Sequence, residues 1–288
     1  MNFLFNEGTA VLRLQKMMLE ISPFNAVFFA IMGIFAALII GIWYIFRNKS
    51  ENAKRGVIVG ICAFNIVFYF IYKYCLSKDT QFLEITQLER FNWFKELPMQ
   101  LCNINMFLIP ISLIIKKRAV YGFSFFIGPL AAFMALIFPE KAFDGYSLLL
   151  MRNMGYYVTH GLILVCAVSL ATLGFFKPKF RDIPGTVVAL IVISSVIHAV
   201  NIFLRTTVCP EANYFFTYGA DISILNLFWN WIPVPYLYEM PAMLILLPYM
   251  LIITSVFEFS QKRKPKSMQC EELSVSLENE ETEPALKA

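Results

Sequence analysis

Seven apolar runs dominate this chain, at 24–46, 56–76, 97–115, 119–138, 156–176, 184–204 and 240–257, each near the roughly 20 residues that a helix needs to cross a hydrocarbon core. A backbone in lipid finds no water to satisfy its N–H and C=O groups, so runs of this length are expected to be helices that bond internally. The expected fold class is all-α, a polytopic transmembrane helical bundle of about seven spans. With 58% hydrophobic residues, 15% charged residues and a mean hydropathy of +0.63, the composition excludes a water-soluble globular domain. Lys73 is the one charge set away from the ends of these runs, and its long stem lets it snorkel to the interface.

Basic residues set the expected orientation. The connections at 47–55, 116–118 and 177–183 and the start of the tail at 262–266 are short and rich in Lys and Arg, whereas the stretch 205–239 carries Arg205 alone. The positive-inside rule then puts the N-terminus outside and the C-terminus in the cytoplasm. The net charge of +4 follows from this topology and implies no nucleic-acid partner. The first apolar run has no small-residue cleavage site behind it, so no cleavable signal peptide is expected. The protein is expected to be integral and multi-pass, in the cell membrane if bacterial.

Three regions follow: an N-terminal interfacial helix over 1–23, the bundle over 24–259 and a disordered acidic cytoplasmic tail over 260–288. Residues Thr9 to Ile21 mix apolar side chains with Arg13, Lys16 and Glu20, as a helix lying in the interface does. Phe82, Ile85, Leu88, Phe91 and Phe94 form a second such stripe between spans two and three. The last outer connection is dense in aromatics, from Phe215 to Tyr238, and reads as an aromatic belt or as a lid or re-entrant segment.

Six cysteines show no CxxC pair, so neither a metal site nor any other cofactor is expected. Cys62 and Cys166 read as buried apolar residues, and Cys75 and Cys209 as outer-side residues open to bridging.

His160 and His198 are the only histidines, and both fall inside apolar runs, where an ionisable group is costly and usually functional. Span three runs inward with Cys102 five residues below its outer end, span five runs inward with His160 four residues below, and span six runs outward with His198 six residues before its end. At about 1.5 Å per residue, all three are expected roughly 6 to 9 Å below the outer boundary. Ser194, Ser195, His198, Asn201 and Arg205 form one polar stripe, Pro98, Cys102 and Asn105 share a face with Gln100 and Asn103 beside it, and Tyr156 shares a ridge with His160. The expected site has Cys102, His160 and His198 as catalytic residues around one outward cavity, with Asn103, Asn105, Tyr156 and Asn201 binding substrate. A thiol becomes a nucleophile when an imidazole takes its proton and a further group holds the ring. The alternative is that these polar groups bond helix to helix.

The run Glu96-Leu97-Pro98-Met99-Gln100-Leu101-Cys102-Asn103-Ile104-Asn105, followed by Gly128-Pro129-Leu130-Ala131-Ala132, Phe138-Pro139-Glu140 and Tyr157-Val158-Thr159-His160, resembles the YwaF family of integral membrane proteins. That family is similar to animal transmembrane protein 164, a phospholipid acyltransferase with a membrane cysteine nucleophile. The similarity spans the second to seventh apolar runs and rests mainly on the LCN run and the later TH pair. It implies that Cys102 forms an acyl thioester and that His160 activates first the thiol and then the acyl acceptor. It implies membrane phospholipids as partners. His198 takes its place from depth alone.

Three functions fit these residues: a lipid acyltransferase or hydrolase, a transporter or channel, and a sensor or scaffold. Transport lacks the acidic pairs, broken-helix glycines and repeats that mark ion coupling. A retinal protein is excluded because the seventh span has no lysine.

Overall fold

The computed structural model describes residues 19–219 and 223–262. Its helices are α1 (Ala26–Phe46), α2 (Glu51–Leu76), α3 (Thr80–Ile85), α4 (Asn105–Ile115), α5 (Arg118–Gly122), α6 (Gly128–Ile137), α7 (Met151–Thr172), α8 (Ile183–Thr207), α9 (Ser223–Trp231) and α10 (Glu239–Lys262). A π-helical turn, Phe123–Ile127, joins α5 and α6 into one 20-residue rod, Arg118–Ile137. Pro129 explains it: without an N–H, proline makes no bond to the carbonyl four residues back, and its ring crowds that carbonyl, so the turn widens. The only sheet among the described residues pairs β1 (Glu20–Ile21) with β2 (Tyr146–Ser147), antiparallel.

Helix α7 is the hub, packed against α1, α2 and α6, while α8 packs on α5 and α9 on α10. Lipid tails are as apolar as leucine, so helices in a bilayer associate through close packing of small residues. Gly155, Gly161 and Ala167 supply that surface on α7, and Ala132 supplies it on α6. The outward faces of α1, α2, α8 and α10 carry exposed Phe29, Ile40, Phe64, Val192 and Leu244, as lipid-facing surfaces do. Side chains start the helices: Asn25, Ser50 and Asp79 accept from the backbone N–H of Phe28, Ala53 and Phe82.

The all-α polytopic bundle is as expected, with six helices of spanning length among the described residues, one fewer than the apolar runs. The third run divides: 97–104 forms turns, and only the 11 residues of α4 are helical. Pro98 lacks a donor, and Asn105 donates its amide to the carbonyl of Leu101 at 3.0 Å, bonds that compete with helix formation. An 11-residue helix is roughly 16 Å long, about half the hydrocarbon thickness.

The basic connections meet at one end of the bundle. Lys116 lies 3.9 Å from Glu51, and Arg118 grips Asp182 through Nε at 2.6 Å while donating to the Lys177 carbonyl at 2.9 Å. At the opposite end, fully buried Arg152 donates to Asp79 and Gln81, each at 3.2 Å, and lies over the Tyr146 ring.

Several expectations are corrected. Lys73 does not snorkel: it is buried and paired with Glu96 at 2.5 Å. Cys75 and Cys209 are free thiols, and Cys209 is buried with its sulfur 3.4 Å from the Asn92 amide. The interfacial helix at 9–21 lies outside the described residues up to 18, and where it is described, Glu20–Ile21 is strand. The stripe from Phe82 to Phe94 is helical only over Thr80–Ile85 and, as a 3-10 turn, over Trp93–Lys95. In the last connection Tyr214, Phe215, Phe228 and Tyr238 are buried in protein, while Trp231 is exposed. The acidic tail lies outside the described residues beyond Lys262.

Candidate functional site

His160 sits on α7 between two glycines that let neighbouring helices close on it. A Cβ on Gly155 would stand 2.1 Å from Tyr72 Cδ2, and one on Gly161 would stand 1.8 Å from Phe35 Cζ. The Tyr72 and Phe35 rings therefore lie on the α7 backbone on either side of His160. Its Nδ1 is 2.8 Å from the carbonyl oxygen of Tyr156. A carbonyl only accepts, so in the neutral ring this contact assigns the proton to Nδ1 and leaves the lone pair on Nε2. That Nε2 lies 3.3 Å from the sulfur of Cys102.

Cys102 reaches this position from a chain of turns, with Ile104 N–H donating to Gln100 at 2.9 Å and Asn105 N–H to Cys102 at 3.1 Å. Anchors from two other regions hold the segment. Tyr69 of α2 donates to the Glu96 carbonyl at 2.8 Å, alongside the Lys73 pair. The Tyr214 hydroxyl accepts from Leu97 N–H at 3.0 Å and donates to the Phe94 carbonyl at 2.7 Å, and Gln100 accepts from Phe215 N–H at 3.1 Å. Cys102 is half-buried and His160 buried.

The remaining expected residues divide. Asn103 is buried with its carbonyl oxygen 3.8 Å from the Cys102 sulfur. Asn105 is fully buried beside Gly128, and its Oδ1 has no hydrogen-bond partner among the described residues. Tyr156 stacks between Phe143 and His160, each centroid 4.4 Å away, and its hydroxyl donates to the Ala135 carbonyl at 2.7 Å. Asn201 is fully committed: its amide donates to the Tyr214 carbonyl and to Thr217 Oγ1, both at 2.8 Å, and its oxygen accepts from Tyr214 N–H at 2.9 Å. It clamps the turn whose tyrosine holds Leu97.

His198 belongs to a second cluster. Its ring stacks on Tyr236 at 5.1 Å and lies 5.3 Å from Tyr218, and the Tyr236 hydroxyl is 2.7 Å from Ser195 Oγ. The structure brings Cys102 and His160 together and gives His198 these aromatic partners instead. Depth fixes position along the membrane normal and says nothing of position around the bundle, which is why similar depth did not imply contact.

Sequence reading passed over Lys73, Glu96 and Tyr214 at this site. Lys73 carried a signal, since a charge within an apolar run must find a partner or water, and Glu96 opens the run around Cys102. Nothing in the sequence marked Tyr214 among its aromatic neighbours.

A thiol facing an imidazole lone pair, with the ring held from behind, is equipped for proton transfer from sulfur to nitrogen. Among the described residues, no three His, Cys, Asp or Glu side chains converge as a metal ion requires. No curated protein and no solved structure matches the chain. A sequence profile described as the TMEM164 family matches residues 21–257, reaching past the second span to include all of α1. With that match covering most of its length, the chain belongs to the TMEM164 family.

Proposed function

We propose that this integral membrane protein is a lipid acyltransferase or hydrolase in which Cys102 is the nucleophile and His160 the base. The observation that carries the reading is the 3.3 Å approach of Cys102 sulfur to His160 Nε2, with Nδ1 occupied by the Tyr156 carbonyl. With the N-terminus outside, as the basic connections indicate, the pair belongs to the outer half of the bilayer and takes phospholipid from that leaflet.

His160 Nε2 takes the thiol proton as sulfur attacks an ester carbonyl carbon, forming a C–S bond and placing the electron pair on the carbonyl oxygen. When the C–O bond of the lipid ester breaks, the imidazolium returns its proton to the leaving oxygen, and a lysolipid departs from an acyl thioester on Cys102. A second alcohol then gives its proton to Nε2 and attacks the thioester, and the sulfur leaves and regains the proton. Water in place of the alcohol gives hydrolysis. Positioned proton transfer of this kind contributes about 10²- to 10⁴-fold to rate.

The acyl thioester is the species to seek. Wild-type protein in nanodiscs of phosphatidylcholine and phosphatidylethanolamine, quenched in acid and digested, is expected to carry an acyl group on the Cys102 peptide that neutral hydroxylamine removes. An adduct on another residue, with Cys102 free, contradicts the reading.

A further inference from the structure

Attack of sulfur on an ester places an electron pair on the carbonyl oxygen, and Cys102 and His160 leave that charge without a donor. The oxygen is held two bonds from the sulfur, so whatever stabilises it has to stand against the sulfur itself.

Most polar groups in this region are already committed. The Tyr156 hydroxyl donates to the Ala135 carbonyl at 2.7 Å, the Asn105 amide to the Leu101 carbonyl at 3.0 Å and the Tyr69 hydroxyl to the Glu96 carbonyl at 2.8 Å. Lys73 is closed on Glu96 at 2.5 Å. Asn103 is the exception. It is 7% exposed, its carboxamide oxygen lies 3.8 Å from the Cys102 sulfur, and its Nδ2 has no hydrogen-bond partner among the described residues.

The resting contact between them is weak. A thiol has one proton, and with the ring proton of His160 on Nδ1, that proton belongs to Nε2 at 3.3 Å, so Asn103 Oδ1 receives none. A half-turn of the carboxamide exchanges oxygen and nitrogen in nearly the same place, and no other hydrogen bond among the described residues holds the group against that turn. Nδ2 then faces the space beside the sulfur, where an oxyanion needs a donor at about 2.7–3.1 Å. The backbone N–H groups of Cys102 and Asn103 also donate to no oxygen among the described residues.

We propose that Asn103 is a catalytic residue, whose carboxamide N–H binds the carbonyl oxygen of the ester under attack by Cys102. As the C–S bond forms, the C=O π pair moves onto oxygen and is held by Nδ2–H. It returns to the C=O bond as the ester C–O bond breaks, so Asn103 neither gains nor loses a proton. This deepens the acyl-transfer reading and rests on Cys102 as its nucleophile, but it is measurable without a phospholipid.

Two reactions at the same sulfur isolate this role. Iodoacetamide is displaced at a saturated carbon, with iodide leaving and no charge placed on oxygen. p-Nitrophenyl butyrate is attacked at its carbonyl, with an oxyanion formed and p-nitrophenolate leaving. Both are followed on the full chain in neutral detergent by mass spectrometry of the Cys102 peptide, the acyl thioester being the adduct that hydroxylamine removes. Asn103→Leu, similar in shape and without a donor, is expected to slow acylation about 10²- to 10³-fold, as loss of one oxyanion donor does, and to keep alkylation within about threefold. Asn103→Asp, an acceptor alone at neutral pH, is expected to show the same selective loss.

A purely structural asparagine predicts equal losses in both reactions, and an idle one predicts no loss in either; each result overturns the inference. Should the variants fail to fold by their melts, the wild type suffices. Its ratio of acylation to alkylation rate at Cys102 is expected to exceed that of a free cysteine peptide in the same micelles by about tenfold or more, and an equal or smaller ratio overturns the inference. If the loss is selective while Cys102→Ala retains phospholipid turnover, the lipid reading falls and Asn103 stands as the donor for smaller esters.

Discussion

His160 donates its Nδ1 proton to the carbonyl of Tyr156, one helical turn earlier, at 2.8 Å, and this bond leaves Nε2 free toward Cys102. In many nucleophile and base pairs a third side chain orients the imidazole; here a backbone carbonyl does so, and no substitution at 156 deletes it.

That difference separates two roles for Tyr156. Tyr156→Phe keeps the carbonyl and the ring stack and removes only the hydroxyl that donates to Ala135. The expected loss is about 1 kcal/mol of stability, as for one neutral hydrogen bond, with lipid turnover within a few-fold of wild type. A loss of 100-fold or more would mean that the hydroxyl meets substrate.

His160→Ala is expected to reduce turnover by about 10²- to 10⁴-fold, the range for a positioned general base, while the protein keeps its melting temperature within a few degrees. His198→Ala, whose ring packs between Tyr218 and Tyr236, should act on the stability of the last connection and leave the rate within a few-fold. Turnover assays in nanodiscs paired with thermal melts read both.

Two α7 glycines are expected to be intolerant. In Gly155→Ala and Gly161→Ala the new methyl group meets the Tyr72 or Phe35 ring well inside contact distance. Overpacking of this kind costs typically 1–3 kcal/mol. Both variants should melt earlier, and because the rings flank His160, both should lose activity beyond the loss of folded protein. Gly33→Ala, where the added carbon meets nothing within 4 Å, is the matched control.

Asn201 acts on the site at a distance. Its three bonds hold the Tyr214 backbone, and the Tyr214 hydroxyl holds Leu97, five residues before Cys102. Asn201→Ala leaves the buried Tyr214 N–H without its acceptor, at about 1–3 kcal/mol. Tyr214→Phe should slow Cys102 alkylation or turnover with a smaller change in melting temperature. Equal rates in both variants would show that the turn does not position Cys102.

Much of this was legible in the sequence because lipid simplifies folding: apolar runs of spanning length have to be helices, and six became helices or rods of that length. The third run misled because average hydropathy does not weigh Pro98 or the asparagine side chains that bond to backbone, so a half-length helix reads like a full one. The meeting of Cys102 with His160 followed from depth and the family motif. The packing of His198 on Tyr218 and Tyr236 did not, since depth leaves the position around the bundle open. Lys73 was legible as an anomaly, but its partner was not, because Glu96 looked like the start of a span and the turn that folds it back lies in tertiary structure.

The most direct test of Cys102 as nucleophile is lipid turnover by full-length protein in nanodiscs containing phospholipid with a labelled acyl chain and an unlabelled lysophospholipid acceptor. The wild type is expected to release labelled fatty acid or to transfer the label to the acceptor, and Cys102→Ala, folded by its melt, to do neither. Full retention of lipid turnover in folded Cys102→Ala protein would contradict the mechanism.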